Sequence, residues 1–492
     1  MVILNTLWAL SLVAAPLQDA VPKEEDYYQI VEVPVPEGLV LEIGGILVSG
    51  EDSFLVCTRR GEIWRVEGAR GAEGNEGAMP SYTLFAQGLQ EPLGLLAHEG
   101  SIYCTQRGEL SRLQDRNEDG RCDLIEAIYD GWPLSGNYHE YCFGPRVDKE
   151  GNFWITTNKP FGGQPFGVAD WRGWALRITP EGEVIPTCCG LRSPAGVEMS
   201  PDGDCFYTDN QGEWCGASKL AHLEPGDFHG HPHGIASAKK EGCPVPFPGD
   251  IPNGELMPEI EKKFPTFKLP AVWFPYDKMG KSPAGMVWDT TEGGFGPFAG
   301  QVFVTDQHHS SVMRVSLEKV GGRWQGACYP FRYGFRCGTL RAAWDTDDSM
   351  IVGMTNRGWG SRGNEAYGVA RLRWTGKVPF EIHEMRAVTD GFVLEFTRPA
   401  DPATLSDLAG YKMESYTYKL HSTYGSPEVD KQIPEISKAS PAPDGLSVHL
   451  KVEGLRAGYV HELHSNGVRS AEGHALLHPQ AYYTLARIPA GS

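Results

Sequence analysis

The sequence predicts an all-β chain, with a six-bladed β-propeller over residues 27–376 followed by a small immunoglobulin-like β-sandwich over residues 378–488. Three observations lead to this fold class. A strand–threonine–polar-loop pattern recurs about every 50 residues, glycine and proline together make 96 of 492 residues, and no segment has the pattern of a long helix. Short strands between tight turns, repeated at this period, are typical of propellers.

The repeat is marked by a threonine at the end of six apolar strands. The marker threonines lie 47, 51, 52, 97 and 50 residues apart, and they are Thr58, Thr105, Thr156, Thr208, Thr305 and Thr355. A β-sandwich also has many short strands, but it does not repeat one unit six times. The 97-residue interval leaves room for a seventh blade. Residues 226–270 within it lack the pattern and are rich in Gly, Pro and charge, so we interpret them as an insertion.

The two ends of the repeat region have different predicted roles. Residues 27–34, YYQIVEVP, are predicted to add an outer strand to the last blade, which closes the ring and removes a free sheet edge. After residue 376 the repeat stops. Alternating strands separated by turn residues then indicate an antiparallel sandwich, although the Cys…Trp…Cys marker of immunoglobulin domains is absent.

The first residues and the cysteines predict the compartment. Residues 2–15 are almost wholly apolar, too short for the roughly 20 residues of a membrane span, and suit a secretory signal peptide over residues 1–20. A buried N-terminal strand is the alternative, because no Lys or Arg precedes the apolar run. Eleven cysteines without CxxC metal spacing indicate disulfides in an oxidising compartment, with at least one thiol unpaired; scattered buried thiols are the alternative for several of them. The expected localisation is therefore secreted or periplasmic, with no membrane span.

Composition excludes several classes of partner. The chain has 44 Lys and Arg against 63 Asp and Glu, a net charge of −19. No basic surplus exists to neutralise phosphates, so nucleic acid and anionic membrane surfaces are excluded as partners. Hydrophobic residues make 41% of the chain, which excludes a mainly disordered protein.

Propeller topology brings polar loops from every blade to one axial mouth. The loops after the marker threonines and the segments entering each first strand share one face, and together they carry basic, imidazole and amide side chains. These are Arg59, Arg60, Gln106, Arg107, Asn158, Lys159, Asn210, Gln211, His308, His309, Asn356 and Arg357 from the loops, and His139, Arg192, Lys281 and Arg341 from the entering segments. Ordinary solvated turns are the alternative, which six loops in register disfavour. The mouth is predicted to bind an anionic or polyhydroxylated small molecule or oligosaccharide.

One loop has the spacing of a calcium-binding loop. Residues 115–126, DRNEDGRCDLIE, match the pattern D-x-[DN]-x-[DN]-G-x5-E. The predicted metal set is Asp115, Asn117, Asp119, Arg121 and Glu126. Because the loop follows the third strand of its blade, we expect it on the face opposite the mouth, with a structural role.

Three further features have both a functional and a structural interpretation. Residues 228–234, FHGHPHG, place three histidines at alternate positions, as a transition-metal site would, but an exposed Gly/Pro loop is the favoured interpretation. The pair Cys188 and Cys189 suits a strained disulfide or two buried thiols better than a redox site. Tryptophans near Gly-rich loops suit sugar stacking or core packing; they are Trp171, Trp174 and Trp359.

The six-blade plan, LRSPAGVEMSPDG followed by YTDNQGEWCGASKLAHLEPGDFHGHP, and NYHEYCFGP resemble the soluble quinoprotein glucose/sorbosone dehydrogenases. The resemblance covers residues 37–375 and is greatest to uncharacterised propellers of planctomycete type. It implies a secreted or periplasmic enzyme that oxidises sugars with pyrroloquinoline quinone (PQQ) and calcium, and passes electrons to an acceptor protein.

The resemblance assigns roles to particular residues. His139 matches the family's catalytic base, Arg192 matches an arginine that grips the quinone, and Gln211, Gly212 and Glu213 fall where backbone carbonyls hold the active-site calcium. The predicted catalytic set is completed by His308 and Arg341, and the cofactor-binding set by His309 and Arg357.

Two departures from the family pattern concern its quinone-binding cations. Gln307, His308 and His309 stand where the family has a lysine. Residues 338–341, GTLR, replace an Arg-x-Arg pair.

Three functions follow. The first is a sugar dehydrogenase-like oxidoreductase with His139 as general base, since an imidazole of pKa near 6.5 serves as a base at neutral pH. The second is a metal-dependent lyase or hydrolase of an oxidised or uronic sugar, with a transition metal on His139, His308 and His309 and with Arg192 on a carboxylate. The third is a carbohydrate-binding propeller without activity, with the C-terminal domain as a docking module.

Overall fold

The computed structural model describes residues 22–72, 78–161 and 169–491, and it is all-β as predicted. The predicted signal peptide lies outside the described residues. Strand β1 (Tyr28–Glu32) is followed by antiparallel sheets formed in chain order. The first sheet contains β2 (Ile43–Gly50), β3 (Ser53–Thr58), β4 (Glu62–Glu67) and β5 (Ser81–Gln87). The second contains β6 (Leu95–His98), β7 (Ser101–Thr105), β8 (Leu110–Gln114) and β9 (Leu124–Tyr129).

The next two sheets hold most of the candidate site. The third contains β10 (Cys142–Val147), β11 (Phe153–Thr157), β12 (Trp174–Ile178) and β13 (Val184–Cys189). The fourth contains β14 (Pro194–Met199), β15 (Cys205–Asp209), β16 (Ser218–His222) and, beyond an excursion with β17 (Glu255–Leu256) and helix α1 (Met257–Lys263), β18 (Val272–Phe274). That excursion falls where the sequence predicts the insertion.

Two more sheets complete a ring. The fifth begins with β19 (Pro283–Trp288), β20 (Val302–Asp306), β21 (Ser311–Val320) and β22 (Arg323–Arg332). The sixth contains β23 (Thr339–Trp344), β24 (Met350–Thr355) and β25 (Tyr367–Trp374), and β1 pairs with β25 as its outer strand. The first strands contact one another in the order β2, β6, β10, β14, β19 and β23, and β23 returns to β2.

The marker threonines are buried and belong to the second strand of each sheet. Two of their hydroxyls donate to backbone carbonyls: Thr208 to Ala284 at 2.7 Å and Thr305 to Gly285 at 3.0 Å. The Thr208 bond joins the fourth sheet to the fifth, so this threonine has a structural role between neighbouring sheets.

The C-terminal residues form two sheets, one of which continues the fifth sheet of the ring. The elements are β26 (Ile382–Val388), β27 (Gly391–Phe396), α2 (Pro402–Ser406), β28 (Lys412–Thr417), β29 (Lys419–Leu420), β30 (Val429–Gln432), β31 (Ile436–Pro441), β32 (Ser447–Val452), β33 (Tyr459–His464) and β34 (Gln480–Leu485). One sheet has the order β26-β27-β32-β31; the other, β34-β33-β28-β30, pairs with β22. The C-terminal domain is thus fused to the ring through a common eight-stranded sheet.

The cysteines do not form the expected disulfides. All eleven lie within the described residues and are free thiols, and Cys188 and Cys189 are both buried. Burial raises the pKa of the Cys189 thiol to about 12, because a thiolate would lose its hydration there. None of the helices in the described residues is long and apolar enough to cross a membrane.

Candidate functional site

A cavity of about 170 Å³ lies among the loops that enter and leave the inner strands. Its polar lining comes from all six sheets except the second, and aromatic rings complete its walls. The lining includes Arg59, Tyr138, His139, Asn158, Phe161, Arg192, Ser193, Asn210, Lys281, Gln307, Arg357, Trp359 and Tyr424. Most of the polar residues are among those that the sequence predicts for the mouth.

His139 is held in one tautomer at this cavity. Its Nδ1 lies 3.0 Å from the carbonyl oxygen of Lys159, and its Nε2 lies 3.0 Å from Oγ of Ser193. A carbonyl oxygen only accepts, so Nδ1 carries the proton and the lone pair of Nε2 accepts from the Ser193 hydroxyl. The imidazole therefore presents an acceptor, not a donor, towards Ser193.

Burial keeps this imidazole neutral. Burial lowers the pKa of His139 to about 3, and the positive charges of Arg192 and Lys159 lower it further. The hydrogen bond to the Lys159 carbonyl raises the pKa, but by less. The ordinary pKa near 6.5 that the sequence suggests therefore does not hold. Nε2 of His139 therefore stays unprotonated across the whole neutral pH range.

The low pKa values predict acid sensitivity of the fold. Burial also lowers the pKa of His233 to about 4 and that of His461 to about 3. These histidines bind protons in the unfolded chain below about pH 6.5 but not in the folded chain. Proton binding therefore favours the unfolded state as pH falls from about 6.5 towards 4, and the free energy of unfolding decreases over that range. Burial raises the pKa of Asp227 to about 7, which opposes this decrease, while the lowered pKa values of His229 and His231 add to it.

We expect the free energy of unfolding to fall by roughly several kcal/mol between pH 7 and pH 4.5. Urea unfolding at half-unit pH steps measures the slope. His461→Leu, in the C-terminal domain, should make the slope shallower without touching the cavity. A free energy that is flat or rises on acidification would contradict the neutral-histidine assignment.

Arg192 is held by an ion-pair network. Its guanidinium donates to Glu213 Oε2 from Nε at 3.2 Å and from the terminal nitrogen at 3.0 Å, and Lys159 also pairs with Glu213. Burial raises the pKa of Glu213, but Arg192 and Lys159 outweigh it and lower the pKa to about 2. Glu213 therefore stays ionised and fixes both cations in place.

An aspartate directly after the marker threonine shapes the entry to the fourth sheet. Asp209 accepts the backbone N–H of Arg192 at 3.1 Å and that of Ser193 at 2.7 Å. Asp306 does the same for the N–H groups of Lys281 and Ser282 in the fifth sheet. The Thr-Asp pair is thus the local signal that places Ser193 in the cavity, although Ser193 is not among the residues that the sequence predicts for the site.

Two amides surround the Ser193 hydroxyl and have unused acceptors. The side-chain nitrogens of Asn158 and Asn210 lie 3.4 and 3.5 Å from Ser193 Oγ. Their Oδ1 atoms are buried and have no hydrogen-bond partner in the described residues. Buried polar atoms are normally satisfied, so these two oxygens suit a ligand that brings hydroxyl donors.

The basic residues at the mouth outnumber their acidic partners. Each of three lining cations has a carboxylate neighbour: Arg59 pairs with Glu91 at 2.5 Å, Arg357 with Glu42 at 3.1 Å, and Lys281 with Asp277 at 3.0 Å. Two carboxylates serve four guanidinium groups on one side, which are Arg59, Arg60, Arg107 and Arg357. The remaining positive charge agrees with an anionic or polyhydroxylated ligand.

Arg341 lies elsewhere than expected. Its guanidinium donates to backbone carbonyls of Gly44, Ala195 and Leu340 at 2.8 Å each and to Leu93 at 3.3 Å. It therefore fills the central channel behind the cavity and does not face a ligand. Arg341 is therefore not placed as the charge-neutralising site residue that the sequence predicts, because backbone carbonyls use its donors.

The two adjacent histidines also differ from the prediction. His308 Nδ1 lies 2.9 Å from the Gly360 carbonyl, while His309 is buried against the Met279 carbonyl at 3.2 Å, and neither lines the cavity. Within residues 22–72, 78–161 and 169–491, no three His, Cys, Asp or Glu side chains are placed to hold a metal ion. The structure does not assemble the metal site of the second hypothesis.

The segment expected to hold the active-site calcium is covered. The Gly212 carbonyl accepts N–H groups from Cys215 at 3.1 Å and from Gly425 of the C-terminal domain at 3.0 Å. The Gln211 side chain lies buried and donates to the Gly216 carbonyl at 3.1 Å. One of the three carbonyls that the resemblance assigns to calcium, that of Gly212, is therefore already in use, and the Arg192 guanidinium is paired with Glu213.

The 115–126 loop is closed by its own hydrogen bonds. Asp115 accepts the N–H groups of Asp119 at 3.2 Å and Gly120 at 2.8 Å, and Asp119 accepts that of Arg121 at 2.9 Å. Glu126 does not join them, since antiparallel pairing of β8 with β9 places it opposite Arg112, to which it is bonded. In this structure Glu126 is therefore bonded to Arg112, whereas the sequence predicts it as a calcium ligand together with Arg121.

The remaining predicted features are mostly structural. His229 and His231 are buried, so the interpretation of residues 228–234 as an exposed loop is wrong, and the pKa of each imidazole is lowered by burial. Trp174 is fully buried and packs on Trp171 at 5.1 Å. Trp359 lines the cavity with 41% of its surface exposed.

Two tyrosines at the cavity, Tyr138 and Tyr424, are missing from the set that the sequence predicts. They expose 58% and 49% of their surfaces there. Tyr138 precedes His139 in the segment entering the third sheet, a position that topology alone selects. No local signal marks Tyr424, because it belongs to the C-terminal domain and arrives from more than 200 residues away.

Known proteins resemble this chain more in fold than in sequence. Residues 72–245 match a family model described as a domain of unknown function, DUF7133. No curated protein matches. A putative glucose dehydrogenase from Thermus thermophilus is 19% identical, with a TM-score of 0.51 over 70% of this chain and 99% of that one.

Two further solved structures have similar coverage. A Trichoderma reesei carbohydrate-active enzyme of family AA12 is 11% identical, with a TM-score of 0.50 over 71% of this chain and 96% of that one. The PQQ-bound aldose sugar dehydrogenase of Streptomyces coelicolor is 16% identical, with a TM-score of 0.49 over 72% and 100%. At these identities the likeness shows the fold alone.

Proposed function

We propose that the protein is a secreted sugar dehydrogenase-like propeller whose axial cavity binds a sugar and oxidises it. Its six sheets are six blades, and its C-terminal residues form an immunoglobulin-like sandwich fused to the fifth blade. The fold likeness to a putative glucose dehydrogenase supports this proposal, as do the polar lining and exposed aromatic rings of the cavity.

The observation that carries the proposal is the group of hydrogen-bond acceptors on the residues around Ser193. The Ser193 hydroxyl lies between His139 Nε2 and the side-chain nitrogens of Asn158 and Asn210, and the Oδ1 atoms of both asparagines have no partner in the described residues. A sugar supplies several hydroxyl donors in a comparably small volume, and its ring stacks on aromatic faces. In this arrangement Ser193 Oγ passes the proton of the reacting hydroxyl to His139 Nε2, and the hydride of the same carbon passes to an acceptor of the quinone class supplied from outside the chain.

Calorimetric titration with neutral aldoses and uronic acids, beside a dye-linked oxidation assay, tests the proposal. We expect at least one sugar to bind and to reduce the dye. Asn158→Ala should weaken binding about two- to tenfold through the lost acceptor, whereas Asn117→Ala, in the exposed 115–126 loop, should not. A folded protein that binds no sugar of either class would refute the proposal.

A second candidate is sugar binding without oxidation. The observation that favours it is the Gly212 carbonyl, which the C-terminal domain already occupies where the resemblance implies a cofactor metal. Binding in the titration with no dye reduction, in the presence or absence of added PQQ and Ca²⁺, would select this candidate.

A further inference from the structure

The C-terminal domain reaches the cavity through one loop, residues 421–426. Three backbone hydrogen bonds hold this loop on the 211–216 turn of the fourth sheet. They run from the N–H of Trp214 to the His421 carbonyl at 2.8 Å, from Gly425 to Gly212 at 3.0 Å and from Ser426 to Gly216 at 2.8 Å. Such pairing along two segments fixes their register.

Two glycines allow the close approach. Gly425 has φ +63, and a β-carbon there would lie 2.7 Å from the Gln211 side chain. A β-carbon on Gly216 would lie 2.8 Å from the Tyr418 side chain. Both contacts are too short for any other residue, so the loop is seated tightly against the fourth sheet.

This seating places Tyr424 in a row of flat groups along one cavity wall. The guanidinium carbon of Arg192 lies 5.2 Å from the Tyr424 ring centre and 5.1 Å from that of Phe161. The ring of Tyr138 lies next to that of Phe161, with ring centres 6.4 Å apart. We call Tyr138, Phe161, Arg192 and Tyr424 the aromatic wall.

The cavity and the aromatic wall differ in extent. At about 170 Å³ the cavity is smaller than the roughly 300–1,000 Å³ of pockets for drug-sized ligands, so it suits one sugar ring. Tyr138 and Tyr424, at the two ends of the wall, remain about half exposed. Exposed aromatic faces beside a polar cavity suit the C–H faces of further sugar rings.

We propose that the 421–426 loop completes a second sugar subsite, and that the ligand is an oligosaccharide whose terminal ring enters the cavity while the next ring stacks on Tyr424. This inference rests on the proposed sugar-binding function. It makes the C-terminal domain a part of the binding site, and it makes Tyr424 a specificity-determining residue.

Calorimetric titrations of the full chain with glucose, cellobiose, cellotriose, maltose and maltotriose test the inference. We expect one of the two oligosaccharide series to bind about tenfold more tightly than glucose. Tyr424→Ala should reduce that gain, measured as the ratio of oligosaccharide to glucose affinity on the same variant, to about twofold or less, and Tyr424→Phe should retain it. Phe247→Ala removes an exposed ring outside the cavity and serves as the matched control.

Thermal melts check that Tyr424→Ala is folded, and Tyr138→Ala gives an independent probe at the other end of the wall. Glucose binding with no gain for either oligosaccharide series would overturn the inference and leave the proposed function intact. A gain that survives Tyr424→Ala would also overturn it. Failure of every sugar to bind would overturn both.

Discussion

Replacing Arg341 by methionine should lower the free energy of unfolding by roughly 3 kcal/mol or more, the largest stability effect we expect from a single change. The guanidinium donates to carbonyls at Gly44, Ala195 and Leu340 of the first, fourth and sixth sheets, and at Leu93 in the segment that enters the second sheet. Burial lowers the pKa of Arg341 to about 9, so the charge itself is costly to bury. Removing the side chain relieves that cost but leaves several channel carbonyls without donors.

Guanidinium chloride unfolding measures this loss. Arg336→Met is the matched control, because its side chain is 67% exposed and makes one ion pair at 3.7 Å, and it should change stability by less than about 0.5 kcal/mol. Equal stability of Arg341→Met and the native chain would show that the channel arginine does not join the sheets.

Replacing His139 by alanine should lower the rate of sugar oxidation about 10²- to 10⁴-fold, the range typical for removing a general base. Its Nε2 accepts from Ser193 Oγ and is therefore placed to receive a proton through that hydroxyl. Sugar affinity should fall by no more than about tenfold, since one neutral hydrogen bond contributes roughly 0.5–1.5 kcal/mol. Turnover and calorimetric binding, measured on the same preparation, separate the two effects.

His449→Ala is the matched control, because that histidine pairs with Asp390 in the C-terminal domain, and its rate should equal that of the native chain. The pH dependence adds a second readout. With the pKa of His139 near 3, the rate should show no inflection from this group between pH 5 and pH 8. Full activity of His139→Ala would remove this residue from the reaction.

Local patterns in the sequence determine the repeating part of this protein. The marker threonines and the Thr-Asp pairs act on neighbouring strands, so their period is enough to predict a ring of sheets and the position of the mouth. The polar residues at the mouth follow from the same topology. His139, Arg192, Asn158 and Arg357 all line the cavity as predicted from chain order.

Contacts between distant segments decided the rest. A guanidinium near the axis can donate either to a ligand or to backbone carbonyls. Only the assembled channel shows that Arg341 donates to backbone carbonyls. Glu126 matches a calcium pattern, yet strand pairing directs it to Arg112. Tyr424 reaches the cavity because the C-terminal domain shares a sheet with β22 and docks on Gly212, more than 200 residues away. Such contacts depend on which surfaces fit together after the strands have formed, and no residue spacing encodes that.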